Sequence, residues 1–281
     1  MRMLTCTATA AIAIALAACN QPEPAANETA ASEAEAAADL SALNGTWKAD
    51  LSTMKFEGKP DEFLLQGGTY SCASCIPPLT VAADGQFHAV PDRPYFDAMS
   101  VKAVDDKTVE FRRRKGDKEV SRNTWTLSED GNVLTNRFHD ATTPNAPPVE
   151  GTTTLTRAGP APAGAHGVSG KWMPEKIGDF SEEALKVTFR IDGNSVTSSI
   201  RGESYTAQIG GPAVAVQNDP GGTTVQVARE GANGLRETYT RQGKQVAVIT
   251  IVPSADGRQI TVVNTDPRDG SKSTWTANKA S

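Results

Sequence analysis

The chain has 281 residues, with 28 Lys and Arg against 33 Asp and Glu and a net charge of −5. That balance gives no basic field and so argues against nucleic acid as a partner. With three histidines and four cysteines, nucleophilic or metal catalysis has little material to work with.

The chain opens MRMLTCTATAAIAIALAACNQ, in which Arg2 precedes an apolar run that ends in small residues. This is the build of a secretory signal peptide, and the run is too short and alanine-rich for a convincing membrane span. Its end, Leu16-Ala17-Ala18-Cys19, resembles the lipobox of bacterial lipoproteins. That resemblance implies removal of residues 1–18 and lipidation of Cys19, giving stable attachment to the membrane through several acyl chains. An ordinary signal peptide cut near Ala18 is the alternative. By analogy with lipoprotein sorting in Gram-negative cells, Asn20 after the cysteine favours the outer membrane, with the protein facing the periplasm. Cys6 leaves with the signal, so Cys72 and Cys75 are the remaining possible partners.

Residues 19–40 carry Glu23, Glu28, Glu33, Glu35 and Asp39, no Lys or Arg, and almost no bulky apolar residue. Such a segment cannot bury enough surface to offset its ordering entropy and reads as a disordered tether. It would hold the folded part roughly 25 Å from the membrane. Beyond it the charges nearly cancel, at 27 basic against 28 acidic residues.

The remainder reads as a duplication. Leu43-Asn44-Gly45-Thr46-Trp47 corresponds to Val168-Ser169-Gly170-Lys171-Trp172, and Asp130-Gly131 in "SEDGNVLTN" corresponds to Asp256-Gly257 in "SADGRQITV". Gly116 and Gly243 hold the same offset within two residues. Two copies result, a first β domain at 41–158 and a second at 168–281, joined by the Pro/Ala/Gly linker 159–167. Each is long enough for its own core.

Both copies alternate apolar and polar residues between turn signals. "LKVTFRI", Asp192-Gly193-Asn194 and "SVTSSIR" form one such hairpin, and "KTVEFRRR" and "EVSRNTWTL" flank Lys115-Gly116-Asp117 in another. Only "SEEALKV", from Ser181 as a candidate N-cap, suggests a helical turn. The expected fold is all-β, with two tandem antiparallel barrel or sandwich domains of six to eight strands each.

Gly-x-Trp on the opening strand of a small antiparallel barrel resembles the lipocalin-like pattern. Gly45-Thr46-Trp47-Lys48, Cys72-x-x-Cys75-x-Pro77-Pro78, Ala83-Asp84-Gly85, Asp105-Asp106 and Ser128-x-Asp130-Gly131 are similar to a group of functionally uncharacterised exported bacterial lipoproteins with lipocalin-like β repeats. The Thr-Asp-Tyr element of true lipocalins is absent, since Thr265-Asp266 runs into Pro267. The resemblance implies that Trp47 and Trp172 close the bottoms of the barrels, with Arg157 stacked over Trp47; plain core aromatics are the alternative.

Cys72-x-x-Cys75 admits three roles. A redox pair draws its reactivity from a helix N-terminus, and here Pro77 and Pro78 hold the chain extended before "LTVAADG". Half a zinc site would need further ligands from His88, His139 or His166. A structural disulfide fits both the export route and the reach of a four-residue turn. His139-Asp140 is a candidate acid/base pair, more simply read as a polar strand end, and His88 shows no partner. The run Arg112-Arg113-Arg114-Lys115 could meet anionic headgroups, although alternation divides it between two faces.

No catalytic residue, metal or cofactor is expected. The expected function is a non-catalytic binding or envelope-associated role on a lipid anchor, with a small apolar ligand or an envelope component as partner. A carrier of a small apolar ligand and a thiol-disulfide protein using Cys72 and Cys75 are the alternatives.

Overall fold

A computed structural model describes residues 39–280; the signal segment, Cys19 and nearly all of the tether lie outside them. Within them a 3-10 turn, Leu40–Leu43, leads into twenty strands. The first ten are β1 (Gly45–Glu57), β2 (Asp61–Gln66), β3 (Thr69–Cys72), β4 (Leu79–Ala82), β5 (His88–Ala89), β6 (Ala98–Asp105), β7 (Thr108–Lys115), β8 (Lys118–Leu127), β9 (Val133–Asp140) and β10 (Val149–Arg157). The second ten are β11 (Gly170–Phe180), β12 (Lys186–Asp192), β13 (Ser195–Ile200), β14 (Glu203–Gln208), β15 (Val214–Ala215), β16 (Thr224–Glu230), β17 (Gly234–Arg241), β18 (Lys244–Pro253), β19 (Gln259–Thr265) and β20 (Lys272–Lys279). The all-β expectation holds, with more strands per half than the six to eight expected. The additions are short: β2 to β4 turn on Gly67-Gly68, and β5 and β15 have two residues each.

The strands form two ten-stranded antiparallel sheets, each curled into a nearly closed barrel. In barrel 1, β4 and β6 approach through the bridge Asp84–Lys102; in barrel 2, β14 meets the β15–β16 side through Ser204–Gln217. Antiparallel meanders protect their edges by this closure.

Sheet membership departs from the division into 41–158 and 168–281. Barrel 1 runs β4-β3-β2-β11-β10-β9-β8-β7-β6-β5, and barrel 2 runs β14-β13-β12-β1-β20-β19-β18-β17-β16-β15. Each barrel therefore takes its opening strand from the other half of the chain. β1 is bound between β12 and β20, and β11 between β2 and β10. The two opening strands are equivalent copies, so periodicity alone does not say which sheet each one joins.

The exchange moves the cation over each tryptophan. Arg157 lies over Trp172, at 4.1 Å from its ring centroid, and Lys279 lies over Trp47 at 5.2 Å. The expected stack of Arg157 on Trp47 is thus corrected: Arg157 of β10 faces Trp172 in register because β11, and not β1, fills that slot. Both indoles are fully buried, and each Nε1 donates to the carbonyl four residues back, Leu43 at 2.8 Å and Val168 at 2.9 Å. Gly170 takes φ 131°, and a Cβ there would stand 2.7 Å from Arg157 Nη1, which gives the Gly-x-Trp motif its physical reason.

The two interiors differ. Barrel 1 is filled by an aromatic cluster, with Trp125 centred 4.6 Å from Phe63 and 4.4 Å from Phe111, and Tyr70 packed edge-on against Phe111. Barrel 2 is mainly aliphatic, built on Val196, Val225, Val227, Leu235, Ile251 and Ile260. The 3-10 turn Leu40–Leu43, capped by Asp39, buries Leu40 and Leu43 beneath it beside Trp47.

Candidate functional site

Barrel 2 holds a half-open apolar cavity of about 240 Å³. β1 shapes one wall: its register with β20 steps five residues, from Asp50 to Lys55, against two, from Thr276 to Thr274. The three extra residues form a bulge pinned by Asp50, which accepts from Ser52 N at 3.0 Å, and by Thr53, whose Oγ1 accepts from Thr276 N at 2.9 Å. A bulge re-aims side chains, and this one brings Leu51 and Met54 to the cavity.

The exchanged strand supplies a second wall. Ile177 and Phe180 of β11 belong to a barrel 1 strand yet line the barrel 2 cavity. Ala184 and Leu185 cover it from the second 3-10 turn, Glu182–Leu185. That turn begins at Ser181 as expected, but the Ser181 hydroxyl caps nothing; it accepts from Glu150 N at 2.8 Å and ties the turn to β10.

One charged side chain reaches this apolar space. Glu237 on β17 is 3% exposed and lines the cavity with Tyr239 and Ser198. Tyr205 donates its hydroxyl to Oε1, and Tyr239 donates to Oε2 at 2.7 Å. Burial pushes the Glu237 carboxyl above the usual carboxylate range and both tyrosines upward as well, because the charged form of each loses water. An apolar chamber with a few convergent polar groups is the general form of a small-molecule site. Its volume exceeds the about 150 Å³ of an apolar cavity known to take up benzene.

Sequence reasoning did not single out Glu237, Tyr205 or Tyr239. The signal was present in "GLRETYTR": alternation places Glu237 on one face with buried Leu235 and with Tyr239.

The residues that were singled out lie elsewhere. Cys72 and Cys75 stand at disulfide geometry, with S–S 2.02 Å and Cα–Cα 5.4 Å, at the turn between β3 and β4. The Ile76-Pro77 peptide is cis. Extended chain and a turn surround the pair, with no helix at its N-terminal side. His88 does have a partner, Asp84 at 2.8 Å. His139 pairs with Glu150 at 3.0 Å on the neighbouring strand while Asp140 binds Thr142, so His139 and Asp140 do not act as one pair. The hollow beside His139, of 510 Å³, is an open polar groove. His166 fastens the linker to Asp105 O at 2.6 Å. Among the described residues no group of three His, Cys, Asp or Glu could hold a metal ion.

The arginine run divides as alternation requires. Arg112 and Arg114 lie over the Phe87 ring, while Arg113 turns inward over Phe96. No known protein family matches the chain, and neither a curated protein nor a solved structure is similar to it.

Proposed function

We propose that this chain is a lipid-anchored binding protein of the outer membrane that carries a small apolar ligand in barrel 2. The observation that carries the reading is the apolar cavity with Glu237 and Tyr239 together on its wall, Glu237 being held from behind by Tyr205. Such a chamber recognises an apolar body with one hydrogen-bonding head. The interior of barrel 1 is filled by its aromatic cluster, and barrel 1 serves as the partner that supplies β11. The lipobox-like run ending at Cys19 supports attachment to the membrane.

The test begins with cell fractionation, in which the native chain should sediment with the outer membrane and the Cys19→Ser variant should be soluble. The protein is then titrated with N-phenyl-1-naphthylamine, a neutral apolar probe that fluoresces when it leaves water. Saturable fluorescence is expected, weakened at least about tenfold, or 1.4 kcal/mol, in an Ala49→Phe variant that fills the cavity. Absence of saturable binding, or equal binding by the variant, would refute the carrier reading.

A further inference from the structure

The mouth of barrel 1 holds a hollow of different character. It measures about 480 Å³ and is lined by Arg93, Arg113 and Arg201 together with Tyr70, Phe96 and Met99. Arg113 follows Val109 and Phe111 on the inward face of β7, both of them fully buried, so the strand delivers a guanidinium to the top of the aromatic core.

The partners of that guanidinium are neutral. Arg113 Nη1 donates to Asn123 Oδ1 at 2.7 Å and to Ser121 Oγ at 3.2 Å, and the group lies 5.4 Å from the Phe96 centroid. Arg93 is likewise held by neutral groups. Its Nη2 donates to the carbonyls of Pro77 and of Pro78, in the segment that runs from the Cys72–Cys75 disulfide to β4. Asp140 and Glu203 also line the hollow, and the charge of Asp140 reaches Arg113, but neither carboxylate is hydrogen-bonded to Arg93 or Arg113. Asp140 accepts from Thr142 N at 2.9 Å and from Thr142 Oγ1 at 2.6 Å, and Glu203 accepts from Thr143 Oγ1 at 3.2 Å.

Two guanidinium groups therefore converge on a partly dry space without a carboxylate bonded to either. Removing such a cation from water costs free energy unless an opposite charge joins it. Guanidinium forks match the geometry of carboxylate and phosphate oxygens. The apolar side chains in the same lining leave room for a body attached to such a head.

We propose that this hollow is a second binding site, which takes an organic oxyanion. A carboxylate or phosphate head sits between Arg93 and Arg113, and its apolar body lies against Tyr70, Phe96 and Met99. The Pro77-Pro78 segment, which follows the Cys72–Cys75 disulfide directly, acts as the positioning element for Arg93. The site is separate from the cavity of barrel 2 and does not depend on it.

Isothermal titration calorimetry of the full chain with octyl phosphate and with octanoate tests this, beside inorganic phosphate and octylamine. Both amphiphilic anions should bind at least tenfold more tightly than inorganic phosphate. Their affinity should fall at least tenfold in Arg93→Gln and in Arg113→Gln, with octylamine indifferent to both changes. If Arg113→Gln fails to fold by circular dichroism, Arg93→Gln on its loop carries the comparison. No heat with either anion, or unchanged affinity in the folded variants, overturns the proposal. Inorganic phosphate binding as tightly as octyl phosphate overturns the place given to the apolar body. Displacement of N-phenyl-1-naphthylamine by the anions would put them in barrel 2 and also overturn it. If that probe never binds, the carrier reading falls while the Arg93→Gln comparison still decides this one.

Discussion

Glu237 is the residue whose environment departs furthest from what its type prefers. A carboxyl 3% exposed among aliphatic side chains is tolerated because Tyr205 from β14 and Tyr239 from its own strand both donate to it. Burial holds its pKa above the ordinary value of 4.5, so above pH 4.5 the folded state retains a proton that the unfolded chain gives up. Stability therefore falls as pH rises from 4.5 through the raised folded value, and this loss is absent below 4.5, where both states are protonated. Asp84, Asp130 and Asp256 act in the opposite sense, since hydrogen bonds lower their pKa and stability rises with pH only in the acid range below 3.8. Asp61 and Glu203 are raised by desolvation and share the direction of Glu237, so the native profile mixes all of these groups. The difference between the native chain and Glu237→Gln isolates one of them. In urea unfolding, the variant should gain on the native protein as pH rises from 4.5 to 8, by about 1.4 kcal/mol for each unit of pKa shift. A difference that stays constant over that range would mean that Glu237 does not titrate in the folded barrel as described.

At the scale of single elements, the hairpins were the most legible part of the chain. Asp192-Gly193-Asn194 and Lys115-Gly116-Asp117 reverse the chain where expected because glycine reaches positive φ, 56° at Gly193 and 57° at Gly116, without steric cost. The Cys72–Cys75 turn was legible for a similarly local reason: the short spacing of the pair is visible in sequence. Arg93 was not, because its partners, the Pro77 and Pro78 carbonyls, lie in a loop whose course no periodicity encodes. Glu237 and Arg113 fall between these cases; alternation placed each on an inward face, but only the assembled barrels show that each reaches a hollow. The disulfide closes so short a loop that its entropic contribution is about 2 kcal/mol. A Cys72→Ser, Cys75→Ser variant should therefore remain folded, losing about that much in chemical denaturation, while its affinity for octyl phosphate drops as Arg93 loses its anchored loop. Complete unfolding would show that the bridge supports the whole barrel, and unchanged stability would show that it constrains nothing.

The exchange of β1 and β11 was hidden from sequence for a reason belonging to the whole molecule. Gly45-Thr46-Trp47 and Gly170-Lys171-Trp172 present the same glycine, the same indole and the same alternation, so either copy satisfies either slot; the choice depends on the path of the intervening chain. Its consequence is mutual dependence. Trp47 and Trp172 are both fully buried, each in a core built mainly by the other half of the chain. At about 25 cal/mol per Å² and about 200 Å² per indole, withdrawing one strand forfeits roughly 5 kcal/mol from its tryptophan alone. It also leaves two neighbouring strands with open edges. That is comparable to the whole stability of an ordinary domain, so neither barrel should persist without the other half. With a protease site inserted in the linker 159–167, the cleaved chain should elute as one particle and melt in one transition, its halves separating only in denaturant. The half ending at residue 158, refolded alone, should expose Trp47 and show red-shifted fluorescence with no cooperative melt. A cooperative, monomeric melt of that isolated half would mean that β1 can return to its own copy, and that the two barrels are interchangeable modules and not an interlocked pair.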